Sequence, residues 1–270
     1  MDKFLQCIYG GEKRVGLAKG DKSIRLLSYQ DMMGCISMGF EPGEIDEEVG
    51  LDEIQFLPPV DPAKIMCLGW NYAEHIDEMK GKKPDHPMLF YKPTSALIGH
   101  LDDVVLPSDD VTKEVHNEVE LAIVIGKEAK RVNAKEAFNV VAGYTIIQDI
   151  TARDLQSEAK KKNEQWEIAK SFDTFAPMGP WIVPSNQIKD PQNLNLSLRV
   201  NGKIRQDSNT KHMVFKIPEI IEYLSQAMTL HPGDIIATGT PKGVDKINEG
   251  DILEAEIEEI GILKNTVVRE

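Results

Sequence analysis

Apolar positions along the chain follow two periods, and the period of two is the commoner. Residues 4–9, 14–18 and 24–27 read as short strands separated by Gly10-Gly11 and Gly20-Asp21 turns. Residues 41–53, with Pro42, two glycines and many acidic side chains, read as a polar loop that leads to a stiff Pro58-Pro59 junction. A boundary at that junction divides the chain into a small N-terminal domain, 1–58, and a larger domain, 59–270. Residues 64–68 predict another strand. Residues 71–80 predict a short helix in a long loop, bracketed by Gly69 on one side and by Gly81, Pro84 and Pro87 on the other.

The stretches 119–125 and 140–147 are rich in β-branched residues and predict buried strands, with a helical turn over 134–138 between them. Residues 194–200 alternate, meet Asn201-Gly202 and resume over 203–205, the pattern of a two-residue hairpin. Behind Pro218, which suits a first turn, Ile217, Ile220, Ile221, Leu224 and Met228 recur at helical spacing. After Pro232-Gly233 the chain returns to strands over 252–257 and 262–268, paired around residues 258–261. Strands dominate and the helices are few and peripheral, so the expected class is α+β with a β-rich core.

Composition narrows the function. A chain of 270 residues with 41% apolar and 28% charged side chains can bury a substantial core. Its apolar runs are far shorter than the ~20 residues of a membrane helix, and its charged start lacks a signal-peptide core, so a cytoplasmic protein with no membrane partner is expected. Cys7, Cys35 and Cys67 are odd in number and widely spaced, which argues against a disulfide framework or a thiolate zinc site. A net charge of −13 repels a phosphate backbone, so no nucleic-acid partner is expected, and an anionic substrate must be held by locally placed Lys or Arg.

Glu118 and Glu120 head an apolar strand, and alternation sends both side chains to one face. Two like charges placed there require a cation or a proton if they are buried. Asp149, at the far end of the next strand, adds a third oxygen if the two strands are neighbours, and an all-oxygen set points to Mg²⁺ or Mn²⁺. The same residues also fit a solvent-facing row on an edge strand, with Asp149 capping a helix that begins near Thr151. His75 and Glu78, at i and i+3 of the short helix, can form an acid/base pair or be ordinary surface residues. Lys170 also fits a solvated lysine. Arg153 and Gln156 fall on the polar face of the helix after Asp149, where Arg153 can fork onto a carboxylate or pair with a neighbouring acid. Gly239-Thr240-Pro241 and Gly243 form a glycine-rich loop able to offer backbone N–H groups to an anion, without the spacing of a P-loop.

Six separated blocks together carry a resemblance. They are Gly69-x-Asn71-Tyr72-x-x-His75-x-x-Glu78, Phe90-Tyr91-Lys92-Pro93, Glu118-x-Glu120-Leu121, Gly143-Tyr144-Thr145 running to Asp149-x-Thr151-x-Arg153-Asp154, Lys170-Ser171-Phe172-Asp173, and Gly239-Thr240-Pro241-x-Gly243-Val244. In this order, over about residues 64–268, the chain resembles the fumarylacetoacetate hydrolase family in its shorter form, typified by acylpyruvases, oxaloacetate decarboxylases and 2-hydroxyhepta-2,4-diene-1,7-dioate isomerases.

The resemblance implies a strand-rich roll of antiparallel sheets, a small N-terminal domain and a homodimer. It implies Glu118, Glu120 and Asp149 as ligands of Mg²⁺ or Mn²⁺, with Ca²⁺ as a stand-in in crystals. His75 and Glu78 become a catalytic dyad on a lid that closes over the substrate, and Lys170 an active-site lysine. Tyr91, Lys92, Arg153, Gln156 and Thr240 become substrate contacts. The implied reaction is metal-dependent hydrolysis of a C–C bond in acylpyruvate-type 2,4-dioxo acids through an enolate. Decarboxylation or isomerisation of related 2-oxo acids is the alternative, and a non-catalytic metal-binding protein a third reading. Two positions depart from the family's pattern: Gln148 stands where Asn is common, and Asp245 stands where glycine usually ends the loop, adding a negative charge near the expected substrate mouth.

Overall fold

A computed structural model describes every residue except Asp21, so the expected Gly20-Asp21 turn lies partly outside the described residues. The fold is sheet-dominated α+β, as the alternation predicts. The path across the largest sheet runs through strands Ile45–Gly50, Ser23–Leu27, Glu12–Lys19, Phe4–Tyr9, Ala176–Pro184, Val141–Gln148, Val119–Ile125, Ile235–Ala237, Ile65–Gly69 and Met88–Lys92. A second sheet of five strands includes the pairs Asn195–Val200 with Lys203–Asn209 and Ile252–Ile257 with Gly261–Arg269. Most pairings are antiparallel, but Ile65–Gly69 runs parallel to Ile235–Ala237 and Asp103–Leu106 parallel to Gly261–Arg269.

The hairpin at 201–202 forms where its sequence places it, with Asn201 at φ 52° and Gly202 at φ 73°, the left-handed pair that matches the twist of the flanking strands. Among the described residues four α-helices accompany the sheets: α1 (Met32–Ser37), α2 (Ala73–Glu78), α3 (Arg153–Lys162) and α4 (Ile217–Ala227). On α4, Ile217, Ile220, Ile221 and Leu224 are all buried, as their spacing predicts.

One expectation is corrected and one element is added. Residues 41–53 are not simply a loop, because Ile45–Gly50 pairs along the outer edge of Ser23–Leu27. Five of its six residues are at least partly exposed, so the strand is held by its backbone ladder and leaves no apolar alternation to read. The short helix α1 also went unread. Its start is set by Asp31, whose side chain accepts the Gly34 N–H at 2.8 Å.

The N-terminal strands are joined to the main sheet by the pair Phe4 with Ile182. Phe4, Val15 and Leu17 share one buried apolar cluster with Ile65, Phe90, Ile147 and Met178. All three cysteines are free and buried. No helix among the described residues is long and apolar enough to cross a membrane.

Candidate active site

The antiparallel pairing of Val119–Ile125 with Val141–Gln148 brings the start of one strand beside the end of the other. Val119 faces Gln148, Glu120 faces Ile147, and the Asp149 N–H donates to the Glu118 carbonyl at 2.9 Å. Sequence-distant Asp149 therefore meets Glu118 and Glu120. Their carboxylate oxygens lie within 4.8 Å of one another, and all three residues are buried. The edge-strand reading is thereby excluded for Glu118 and Glu120. The capping reading fails too, because Ala152 is the residue before α3 and no side chain caps it.

Buried carboxylates need compensation, and two of the three have it. Lys170 Nζ donates to Glu118 Oε2 at 3.0 Å and also to Asp149, so it is a buried partner and not a solvated lysine. Lys92 Nζ reaches Asp149 Oδ1 at 2.7 Å and the Ile150 carbonyl at 3.0 Å. Arg153 pairs with Glu118 and donates through Nη1 to Gln156 Oε1 at 2.8 Å. Burial pushes Glu118 upward, but the charges of Lys170 and Arg153 outweigh it and hold the carboxyl far below the usual carboxylate range.

Glu120 is different. It accepts the Gly239 N–H at 2.8 Å, but among the described residues no ammonium or guanidinium forms an ion pair with it. Burial, with Asp149 and Glu118 beside it, raises its carboxyl well above the ordinary value. A third buried carboxylate without a cation, in an all-oxygen cluster, fits a hard divalent ion. Glu118, Glu120 and Asp149 could hold it.

On the rim above, His75 Nδ1 lies 3.1 Å from Glu78 Oε2, and Glu78 Oε1 accepts the Gly243 N–H at 3.0 Å. The glycine-rich loop thus directs two backbone N–H groups at the protein's own carboxylates, Glu120 and Glu78. Gly239 sits at φ 92°, and a Cβ there would come within 2.7 Å of Asn71 Cβ, so the close approach demands glycine. Thr240 is buried at the cleft, its hydroxyl donating to the Val119 carbonyl and accepting from Gln206 Nε2 at 2.8 Å.

The cleft is lined by His75, Glu118, Glu120, Asp149, Arg153, Gln156, Lys170 and Thr240, all anticipated from the sequence, and also by Trp70, Lys160 and Trp166, which were not. A count of helical positions would have found Lys160, seven residues after Arg153 on the same face. Tyr91 requires correction. Phe90 and Lys92 point inward from Met88–Lys92, so alternation turns Tyr91 outward, where it is 43% exposed and its hydroxyl meets Met228 Sδ at 3.3 Å. Lys92 lies beneath Asp149 and holds that carboxylate without lining the cleft. Asp245 also lies outside the lining and is paired with Arg205 at 2.5 Å, so its charge is locally answered.

The chain is similar in sequence and fold to known proteins. A solved structure of 5-carboxymethyl-2-hydroxymuconate delta-isomerase from Mycobacterium smegmatis superposes with a TM-score of 0.85 at 35% identity, covering 99% of this chain and 100% of that one. Fumarylacetoacetate hydrolase from psychrophilic Exiguobacterium antarcticum superposes with a TM-score of 0.87 at 34% identity, covering 100% of both chains. The mitochondrial oxaloacetate tautomerase Fahd2a of Rattus norvegicus is 44% identical over 224 residues, 80% of this chain and 70% of its own length. The sequence profile described as fumarylacetoacetate (FAA) hydrolase C-terminal matches residues 64–268. With its carboxylate cluster on that matched segment and its whole length superposing on enzymes of this group, the chain belongs to the fumarylacetoacetate hydrolase family.

Proposed function

We propose that the chain is a Mg²⁺- or Mn²⁺-dependent enzyme of small 2-oxo acids that hydrolyses the C–C bond of acylpyruvate-type, 2,4-dioxo acid substrates. The observation that carries this reading is the buried triad in which Glu118 and Asp149 have cationic partners and Glu120 has none. Glu118, Glu120 and Asp149 would hold a divalent ion, which would supply Lewis-acid polarisation of the substrate's 2-oxo group.

The chain's own groups do the rest. Arg153, aligned by Gln156, takes the substrate carboxylate, and Lys170 and Thr240 border the reacting end. His75 has Nδ1 engaged by Glu78, which leaves Nε2 for the proton that moves. Nε2 takes a proton from water as the oxygen adds to the C4 carbonyl. The C3–C4 bond then breaks, its electron pair delocalises into the 2-oxo group, and protonation of C3 yields a pyruvate and a carboxylic acid. We also infer a homodimer as the working unit, to be read by analytical ultracentrifugation.

A second reading is favoured by the rat relative, whose name is oxaloacetate tautomerase. There His75 would take the proton from C3 as the C3–H bond breaks and return it to the 2-oxo oxygen, with no C–C bond cleaved. The deciding experiment follows acetylpyruvate and oxaloacetate by NMR with wild type, EDTA-treated enzyme and His75→Ala. Pyruvate and acetate from acetylpyruvate, lost in both altered samples, support hydrolysis. Exchange at C3 of oxaloacetate without cleavage of acetylpyruvate supports tautomerisation, and full turnover after EDTA treatment overturns both.

A further inference from the structure

Helix α3 presents Arg153, Gln156 and Lys160 to the cleft, at i, i+3 and i+7 on one face. At 1.5 Å per residue, Lys160 stands roughly 10 Å farther along the helix axis than Arg153, which pairs with Glu118. The other cations around the cleft already pair with the protein's own carboxylates. Arg153 holds Glu118 and Gln156, Lys170 holds Glu118 and Asp149, and Lys92 holds Asp149. Among the described residues no carboxylate forms an ion pair with Lys160.

Instead its ammonium lies 5.6 Å from the ring centre of Trp70 and 5.1 Å from that of Trp166. Nearby Lys162 shows the usual alternative, reaching back to Glu158 at 2.6 Å on the solvent face. Lys160 is exposed as a residue, but its ammonium end rests against the two indoles at the cleft rim. Burial there, with Arg153 and Lys170 close by, lowers its pKa from the ordinary lysine value. An anion at this spot would offset that cost. One ammonium between two flat apolar rings suits a single carboxylate at the end of a short carbon chain.

We propose that Lys160 is a specificity-determining residue that selects dicarboxylic 2-oxo acids by pairing with the carboxylate farthest from the 2-oxo group. The inference rests on the 2-oxo acid reading above and adds to it the class of substrate and the residue that reads it. Trp70 and Trp166 act as positioning residues that keep the ammonium at the rim.

The test is titration calorimetry of the Mg²⁺-loaded protein with three pairs of 2-oxo acids. Oxaloacetate, 2-oxoglutarate and 2-oxoadipate are each compared with the monocarboxylate that carries a methyl group in place of the distal carboxylate. Wild type is expected to bind at least one diacid about ten- to a hundredfold more tightly than its partner, the range of a charge-assisted hydrogen bond. Lys160→Met should lower that diacid to the affinity of its monocarboxylate, and Lys160→Arg should keep the preference. The monocarboxylate titration of Lys160→Met checks that the variant is folded. Equal binding of each pair by wild type, or equal weakening of both members in Lys160→Met, overturns the role of Lys160 and leaves the 2-oxo acid reading standing. Failure of every compound to bind the Mg²⁺-loaded wild type overturns both.

Discussion

With its ammonium against both Glu118 and Asp149, Lys170 offsets two buried charges at once. Removing it leaves Glu118 with Arg153 alone and Asp149 with Lys92 alone, and breaking a buried pair of this kind costs about 3–5 kcal/mol. Lys170→Met is therefore expected to lose about that much stability in urea unfolding with EDTA, and to regain part of it when Mg²⁺ is added. An unchanged unfolding midpoint in EDTA would show that the cluster is already relieved by other means. His100 makes a second residue-scale case. Its Nδ1 accepts the Lys264 N–H at 3.0 Å, and its ring meets Phe56 edge-on at 4.8 Å. Burial, with the Lys264 charge, pushes its pKa down to about 4 from 6.5. Between these values the unfolded chain binds a proton that the native chain does not, so stability rises with pH across this window. The contribution is complete above pH 6.5 and is lost as pH falls towards 4, on the order of 3 kcal/mol in all. Unfolding of His100→Gln should show a flatter slope than wild type between pH 4 and 6.5; parallel slopes would refute the assignment.

At the scale of elements, α2 is six residues long, too short to persist without docking. It is held by Glu78 on the Gly243 N–H and by the Lys242–Glu74 pair at 3.2 Å, both on the glycine-rich loop. Amide exchange over residues 73–87 is expected to slow when Mg²⁺ and oxalate are added together. Equal protection with oxalate demonstrably bound would make the segment a fixed part of the site. Legibility in the sequence followed the kind of force involved. The 201–202 hairpin and α4 were readable because one turn dipeptide and one apolar stripe specify them locally. Ile45–Gly50 was not, since an edge strand held by backbone pairing imposes little on its side chains. The carboxylate cluster was readable from paired glutamates and a strand register. The outward turn of Tyr91 follows from strand alternation, whereas the indole pair around Lys160 depends on contacts between distant segments, which no local pattern carries.

Across the whole molecule, the segment before Pro58-Pro59 and the segment after it share a sheet and an apolar cluster. Calorimetry of the metal-loaded chain is expected to show a single cooperative transition, whereas two resolved transitions would mean that residues 1–58 melt on their own. The buried cysteines give this cooperativity a built-in chemical record. Burial pushes the Cys7 thiol up to about 11 and Cys35 up to about 12, and burial with Asp149 and Glu120 nearby raises Cys67 well above its ordinary value. Neither access nor thiolate is then available to an alkylating reagent in the native state, so each sulfur reacts only when its surroundings open. Cys7 and Cys35 sit in the first segment and Cys67 in a strand of the second. The order in which their masses change under labelling is therefore a map, written by the chain itself, of which half lets go first.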